Sequence, residues 1–169
     1  MSKPKAPSTL AITPATQSDL RVVVELARRI WPRSYARILT PEQIANMLKR
    51  IYTPAQLSEE MAKGHRFWIA RENEKPLGYA SACRDGDAIW LKKLYVLPGR
   101  QKQGIGHALM EEVTHALQPA IALKLLVNRA NTPAQRFYLR RGFTQTGELP
   151  VRMGDYEFVD LIFSKPIAV

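Results

Sequence analysis

Hydrophobic and polar positions divide the chain into segments of two periods. Leu10 to Thr13 reads as a short first strand. Thr16, Gln17, Ser18 and Asp19 then supply helix-start chemistry. Leu20, Val23, Val24, Ala27 and Trp31 follow at helical spacing, a pattern that Pro32 should end. Thr40-Pro41-Glu42-Gln43 is a capping box, in which the Thr hydroxyl and the Gln side chain each satisfy an amide of the first turn. Thr53-Pro54-Ala55-Gln56 and Thr132-Pro133-Ala134-Gln135 repeat it, so helices should begin near 41, 54 and 133, with Gly64 stopping the second.

Phe67 to Ala70, Leu77 to Cys83 and Ala88 to Leu97 read as three strands joined by turns at Glu72–Lys75 and Asp85-Gly86-Asp87. Gly104 to Leu117 is helical, with Ile105, Leu109, Val113 and Ala116 as its apolar stripe. Ile121 to Val127 is almost unbroken apolar sequence, which suits a strand buried on both faces. A helix from Pro133 to about Arg141 should close on a left-handed Gly142. Phe143 to Arg152 and Tyr156 to Phe163 complete the chain as strands. The order is β-α-α-α-β-β-β-α-β-α-β-β, an α/β (α+β) arrangement with a mixed sheet and helices packed on it. The strands at Ala88–Leu97 and Ile121–Val127, joined by a helix, should run parallel.

At 169 residues the chain fits one domain, and 46% hydrophobic with 24% charged residues excludes disorder, collagen and coiled coil. No apolar run is long enough to span a bilayer. MSKPKAPSTL has no apolar h-region, so residues 1–8 are expected to be a flexible tail, residues 9–169 the domain, and the location cytoplasmic. Cys83 stands alone, which excludes a disulfide framework. His107 and His115 are eight apart on one helix and His65 lies elsewhere, so no metal site is expected. Net charge is +10, from 25 Lys+Arg against 15 Asp+Glu. An anionic small molecule, a nucleic acid and an acidic protein are all compatible with that excess.

Chemistry concentrates in Leu94-Tyr95-Val96-Leu97-Pro98-Gly99-Arg100-Gln101-Lys102-Gln103-Gly104-Ile105-Gly106. It reads as a strand, a glycine-bearing loop and a helix start, with free amides and the positive end of a helix dipole facing one point. Arg100 and Lys102 add charge, and a phosphate or pyrophosphate fits there. It is not a dinucleotide fingerprint, because Leu109 stands where a third glycine would be needed. Nor is it a P-loop, because Ile105-Gly106-His107 lacks the Gly-Lys-Ser/Thr end.

Gln101-Lys102-Gln103-Gly104-Ile105-Gly106 resembles the Gln/Arg-x-x-Gly-x-Gly/Ala signature of the GCN5-related N-acetyltransferases, the GNAT superfamily. Leu94-Tyr95-Val96-x-Pro98 looks like that family's strand leading into the loop. Asn131 to Phe143 is similar to its second block, Asn-x-x-Ala-x-x-Phe-Tyr-x-x-x-Gly-Phe. The resemblance implies a mostly antiparallel sheet of six to seven strands with a splayed parallel pair, flanked by about four to five helices. It implies acetyl-CoA as co-substrate, with its pyrophosphate on the amides of Gln103, Gly104, Ile105 and Gly106 and their neighbours from Gln101 and Lys102 to His107. It implies a pantetheine arm paired with the backbone of Leu94 and Val96 beside Tyr95, where a bulge would aim an N–H at the thioester carbonyl. Asn131 would contact the arm from the other side, next to Phe137 and Tyr138. Tyr138 would serve as general acid for the departing thiolate, with Phe137 turned to the core. Trp31 and Tyr35 would line the acceptor pocket.

A carboxylate base is not evident. Trp90 stands where many members of the family carry Glu, and Glu25, Glu42, Asp85, Asp87 and a water chain remain as candidates. The implied activity is direct acetyl transfer, in a ternary complex, to a primary amine of a small molecule, peptide or protein. Polyamines are disfavoured by like charge. An acyltransferase or binding module directed at nucleic acid or a ribonucleoprotein is the alternative, and strongly salt-dependent RNA binding would be its mark. Monomer and homodimer are both compatible, the latter through the C-terminal strands or an exposed sheet edge.

Overall fold

A computed structural model describes residues 9–168, so the tail expected over residues 1–8 lies outside the described residues. Those residues form one sheet of strands β1 (Leu10–Pro14), β2 (Arg66–Glu72), β3 (Lys75–Asp85), β4 (Ala88–Val96), β5 (Ala122–Asn128), β6 (Thr144–Met153) and β7 (Tyr156–Pro166). The helices are α1 (Leu20–Ser34), α2 (Pro41–Ile51), α3 (Pro54–Ala62), α4 (Ile105–Ala116) and α5 (Thr132–Leu139). Spatial order is β1-β2-β3-β4-β5-β7-β6. Every pairing is antiparallel except that of β4 with β5. This is the mixed, mostly antiparallel α/β architecture that the segment order implies.

Local chemistry sets the helix starts. Thr40 Oγ1 accepts from the Gln43 amide at 3.1 Å while Gln43 Oε1 accepts from the Thr40 amide at 2.9 Å, a complete capping box. At α3 only the hydroxyl half forms, with Thr53 Oγ1 accepting from Gln56 N at 3.1 Å. At α5 the cap is Asn131 rather than Thr132: Asn131 Oδ1 accepts from the Ala134 amide at 3.3 Å. Gln135 is drawn away to the carbonyls of Asn128 and Arg129, so the third box does not close.

Two further expectations are corrected. Pro32 does not end α1, which runs to Ser34. Pro32 and Arg28, whose carbonyl loses the i,i+4 bond, both lie on the exposed side of the helix, where water can satisfy that oxygen. Ile30 and Trp31 meanwhile hold the last turn to the core. β5 is not buried on both faces. Leu123, Leu125 and Val127 are buried, whereas Leu126 is 39% exposed.

β2 and β3 are buried without alternation from Phe67 to Ala70 and from Gly78 to Ala82, so both faces of the sheet centre are covered. α1 packs on β3 and β4, and α4 on β2, β3 and β4. Gly78 permits the closest approach, since a Cβ there would stand 2.6 Å from the Tyr95 carbonyl oxygen. The core therefore grips β4 on both sides and fixes where its C-terminal end emerges.

Candidate active site

β4 ends at Val96, and the loop that follows turns back into α4. Lys102 and Gly104 take left-handed backbone, with φ of 62° and 82°. That geometry points successive amides the same way. Among the described residues, the amides from Gln101 to His107 donate to no protein acceptor; the first bond of the helix ladder is Ala108 N to Gly104 O at 3.0 Å. The first turn of α4 holds no acidic residue and its cap is glycine, so nothing competes for the positive end of the helix. Ile105 is buried and contributes only its amide, and His107 is the third residue of α4.

The loop is braced by its own side chains. Arg100 donates to Glu72 of β2 at 2.7 Å and to Gln103 Oε1 at 2.9 Å, and Gln101 Nε2 donates to the Val96 carbonyl at 3.3 Å. Arg100 is thereby committed to a carboxylate, and Lys102 is the loop's exposed cation with no ion-pair partner among the described residues. Gly106 lies under Phe137: a Cβ there would meet Phe137 Cζ at 3.3 Å and Val96 Cγ2 at 3.8 Å.

The second element of the site is a gap in the sheet. β4 pairs with β5 only from Ala88 to Leu91. Opposite β3, Ser81 pairs with Lys93 and Ala82 with Leu91, so Lys92 is the extra residue of a bulge. The bulge sits where the parallel pairing stops. Beyond it, Leu94, Tyr95 and Val96 keep β3 on one side and have no strand on the other. The strands splay over a cleft of about 370 Å³.

Side chains named from the sequence and their neighbours on four elements converge on that cleft. Asn131 and Tyr138 reach it from α5, Trp31 from α1 and Tyr35 from its C-cap, Tyr95 from β4 and Asn128 from β5. Tyr35 and Tyr95 share a hydrogen bond between hydroxyls of 2.8 Å. Trp31 packs on both, with ring centroids 4.5 and 5.8 Å away. Tyr138 is buried against Phe143 and Phe163. Its hydroxyl makes no side-chain hydrogen bond among the described residues, and burial holds it well above the ordinary phenol range. Phe137 packs against the edge of the core, while Tyr138 is the more buried of the two. Phe137 is half-buried between Gly106 and the Arg141 guanidinium, which stacks 3.6 Å from the ring centre. α5 packs its Tyr138 side inward, and the neighbouring position therefore lands on the loop.

None of Glu25, Glu42, Asp85 and Asp87 reaches the cleft; all four are exposed. The carboxylates there are Glu60 and Asp160, neither singled out from sequence. Glu60 holds Lys93 with both oxygens at 3.0 Å. Asp160 is half-buried on β7, and burial raises its carboxyl above the usual Asp value. The one signal the sequence offered was a carboxylate set within the run Phe158-Val159-Asp160-Leu161-Ile162-Phe163. No cluster of His, Cys, Asp and Glu suited to a metal occurs among the described residues, and no helix there is long and apolar enough to cross a membrane.

A splayed sheet with an anion-ready loop at its mouth defines an acyl-carrier transferase fold, and comparison with known proteins agrees. The sequence model of the acetyltransferase (GNAT) domain matches residues 35–161. An uncharacterised N-acetyltransferase of Mycobacterium tuberculosis is 31% identical over 154 residues, covering 89% of this chain and 99% of its own. Spermidine N(1)-acetyltransferase of Thermoplasma acidophilum is 25% identical over 132 residues, 74% of this chain and 82% of that one. The crystal structure of PaiA N-acetyltransferase from Thermoplasma acidophilum, in complex with coenzyme A, superposes with a TM-score of 0.82 at 23% identity, over 94% of this chain and 99% of that chain. The chain belongs to the GNAT family, and it is an N-acetyltransferase.

Proposed function

We propose that the chain, as a single cytoplasmic domain over residues 9–169, transfers acetyl from acetyl-CoA directly to a primary amine of a small molecule, peptide or protein. The observation that carries this reading is the run of unbonded amides from Gln101 to His107 at the start of α4. Seven adjacent donors with no acidic residue beside them suit a diphosphate. The coenzyme A complex of the PaiA neighbour supports the same ligand class. Bound acetyl-CoA supplies an activated acyl carbon and a thiolate leaving group.

The chain's residues provide the remaining functions. Leu94 and Val96, on the open edge of β4, offer backbone groups to an extended arm, as an added strand would use them. The bulge at Lys92 reorients the local amides, and a donor aimed at a developing oxyanion counts most in the transition state. Asn131 and Phe137 flank the arm from α5. Tyr138 stays protonated because it is buried, the state needed to donate to a leaving sulfur. Trp31 and Tyr35 line the acceptor side.

The spermidine acetyltransferase relative suggests a polyamine acceptor, but the net charge of +10 opposes one. The test follows free thiol release from acetyl-CoA over a panel of amines and peptides. Amine-dependent release is expected, and none with any amine would contradict the reading.

A further inference from the structure

Among the described residues, one carboxylate in the cleft has no group that neutralises it. Its charged lining is Glu60, Lys92, Lys93 and Asp160. Glu60 and Lys93 satisfy one another at 3.0 Å, both largely buried. Lys92 lies over the Trp90 ring, 5.4 Å from its centre. Asp160 makes no ion pair and no side-chain hydrogen bond among the described residues. It sits in mid-strand on β7, opposite Asn128 of β5 and Leu149 of β6. A half-buried carboxylate without a partner is costly in a folded protein. A cationic ligand would remove that cost.

We propose that Asp160 receives the acceptor's ammonium group and takes its first proton, and that the acceptor is a monoamine borne on an apolar arm. The inference rests on the acetyl-transfer reading above. One free carboxylate matches one ammonium; a polyamine's second cation would meet Lys92 and the Lys93–Glu60 pair, which carries no net charge. Away from Asp160 the cleft is lined by Leu39, Met47, Met153 and Phe158, which suit an apolar substituent. Met47 and Met153 also border an adjoining cavity of about 270 Å³, but its other walls are polar, with Asn46, Arg50, Asp155 and Tyr156, so the apolar substituent is accommodated in the cleft itself.

In the proposed step an ammonium N–H bond breaks, its electron pair stays on nitrogen, and an O–H bond forms on Asp160. The neutral amine bonds to the acetyl carbon and the C–S bond breaks. The sulfur takes the Tyr138 proton, and the second proton lost by nitrogen restores the Tyr138 hydroxyl. Asp160 then gives its proton to water. Burial makes Asp160 a stronger base than a surface carboxylate. Asn128 of β5 lies opposite it, Tyr35 at the end of α1 is close enough to feel its charge, and the other titratable groups lining the cleft are Tyr52, Tyr95 of β4, Tyr138 of α5, Lys92 and the Lys93–Glu60 pair. None of these forms an ion pair with it.

The experiment compares wild type with Asp160→Asn and Asp160→Glu. Phenethylammonium is titrated calorimetrically into CoA-loaded enzyme, and kcat/KM is measured across pH for phenethylamine and spermidine. We expect phenethylammonium to bind the Asn variant about tenfold more weakly, with CoA affinity unchanged. kcat/KM for phenethylamine should fall by about 10²-fold or more, lose its acid limb, and recover in part in the Glu variant. Wild type should prefer phenethylamine to spermidine. Unchanged amine binding and kcat/KM in the Asn variant would overturn the role of Asp160, and a preference for spermidine would overturn the acceptor class. Absence of phenethylamine turnover with CoA bound would overturn the inference alone. Failure of CoA to bind wild type would overturn the acetyl-transfer reading and the inference with it. If the Asn variant alone loses CoA, Asp160→Ser takes its place in the same comparison.

Discussion

The acid role proposed for Tyr138 can be tested apart from its packing within one side chain. Its ring packs against Phe143 and Phe163, so removing only the hydroxyl leaves the packing intact. We expect Tyr138→Phe to lower kcat by about 10²-fold while the Kd of acetyl-CoA stays within about twofold, as separate kinetic and equilibrium measurements would report. A loss of affinity matching the loss of rate would assign Tyr138 to cofactor binding instead. Tyr138 was legible because it falls in a contiguous motif beside Asn131 and Gly142. Asp160 and Glu60 were not. Glu60 follows Glu59 on α3 and Asp160 shares β7 with Glu157, so nothing local marks either one, and only the folded sheet brings them to one cleft. The exposed candidates Glu25, Glu42, Asp85 and Asp87 show the same limit, because helical and strand periodicity says which face a residue occupies but not what lies across from it.

Secondary elements were legible wherever a cap or turn stated the boundary. Thr40 and Thr53 begin helices, and Gly86 and Gly142 take positive φ where a turn was read. Legibility failed where tertiary packing overrode a local rule, as when α1 runs through Pro32 under the anchorage of Trp31. The bulge at Lys92 could be expected only by resemblance, because it expresses register between two strands and not the composition of one. The contact of α4 with α5 offers a direct test. Gly106 lies 3.3 Å, measured from a would-be Cβ, beneath Phe137. Gly106→Val should push the helix start away from α5 and weaken acetyl-CoA binding by about tenfold or more, roughly 1.4 kcal/mol, with little change in kcat at saturation. Calorimetry beside saturating kinetics distinguishes that outcome from general damage, which would lower both.

For the molecule as a whole, the sheet holds together a local site and an assembled one. The anion loop is made by neighbours in sequence, and its amides are free because a strand ends where a helix begins. The cleft draws on residues from Trp31 to Asp160 and exists only because β4 and β5 part after Leu91. The central claim is that the amides of 101–107 hold the diphosphate of the acyl carrier. The most direct measurement is a CoA titration followed by amide NMR, with dephosphorylated pantetheine as control. CoA should produce its largest amide shifts within Gln101–His107, and pantetheine should leave those amides in place. CoA binding with shifts confined to other segments would contradict the claim.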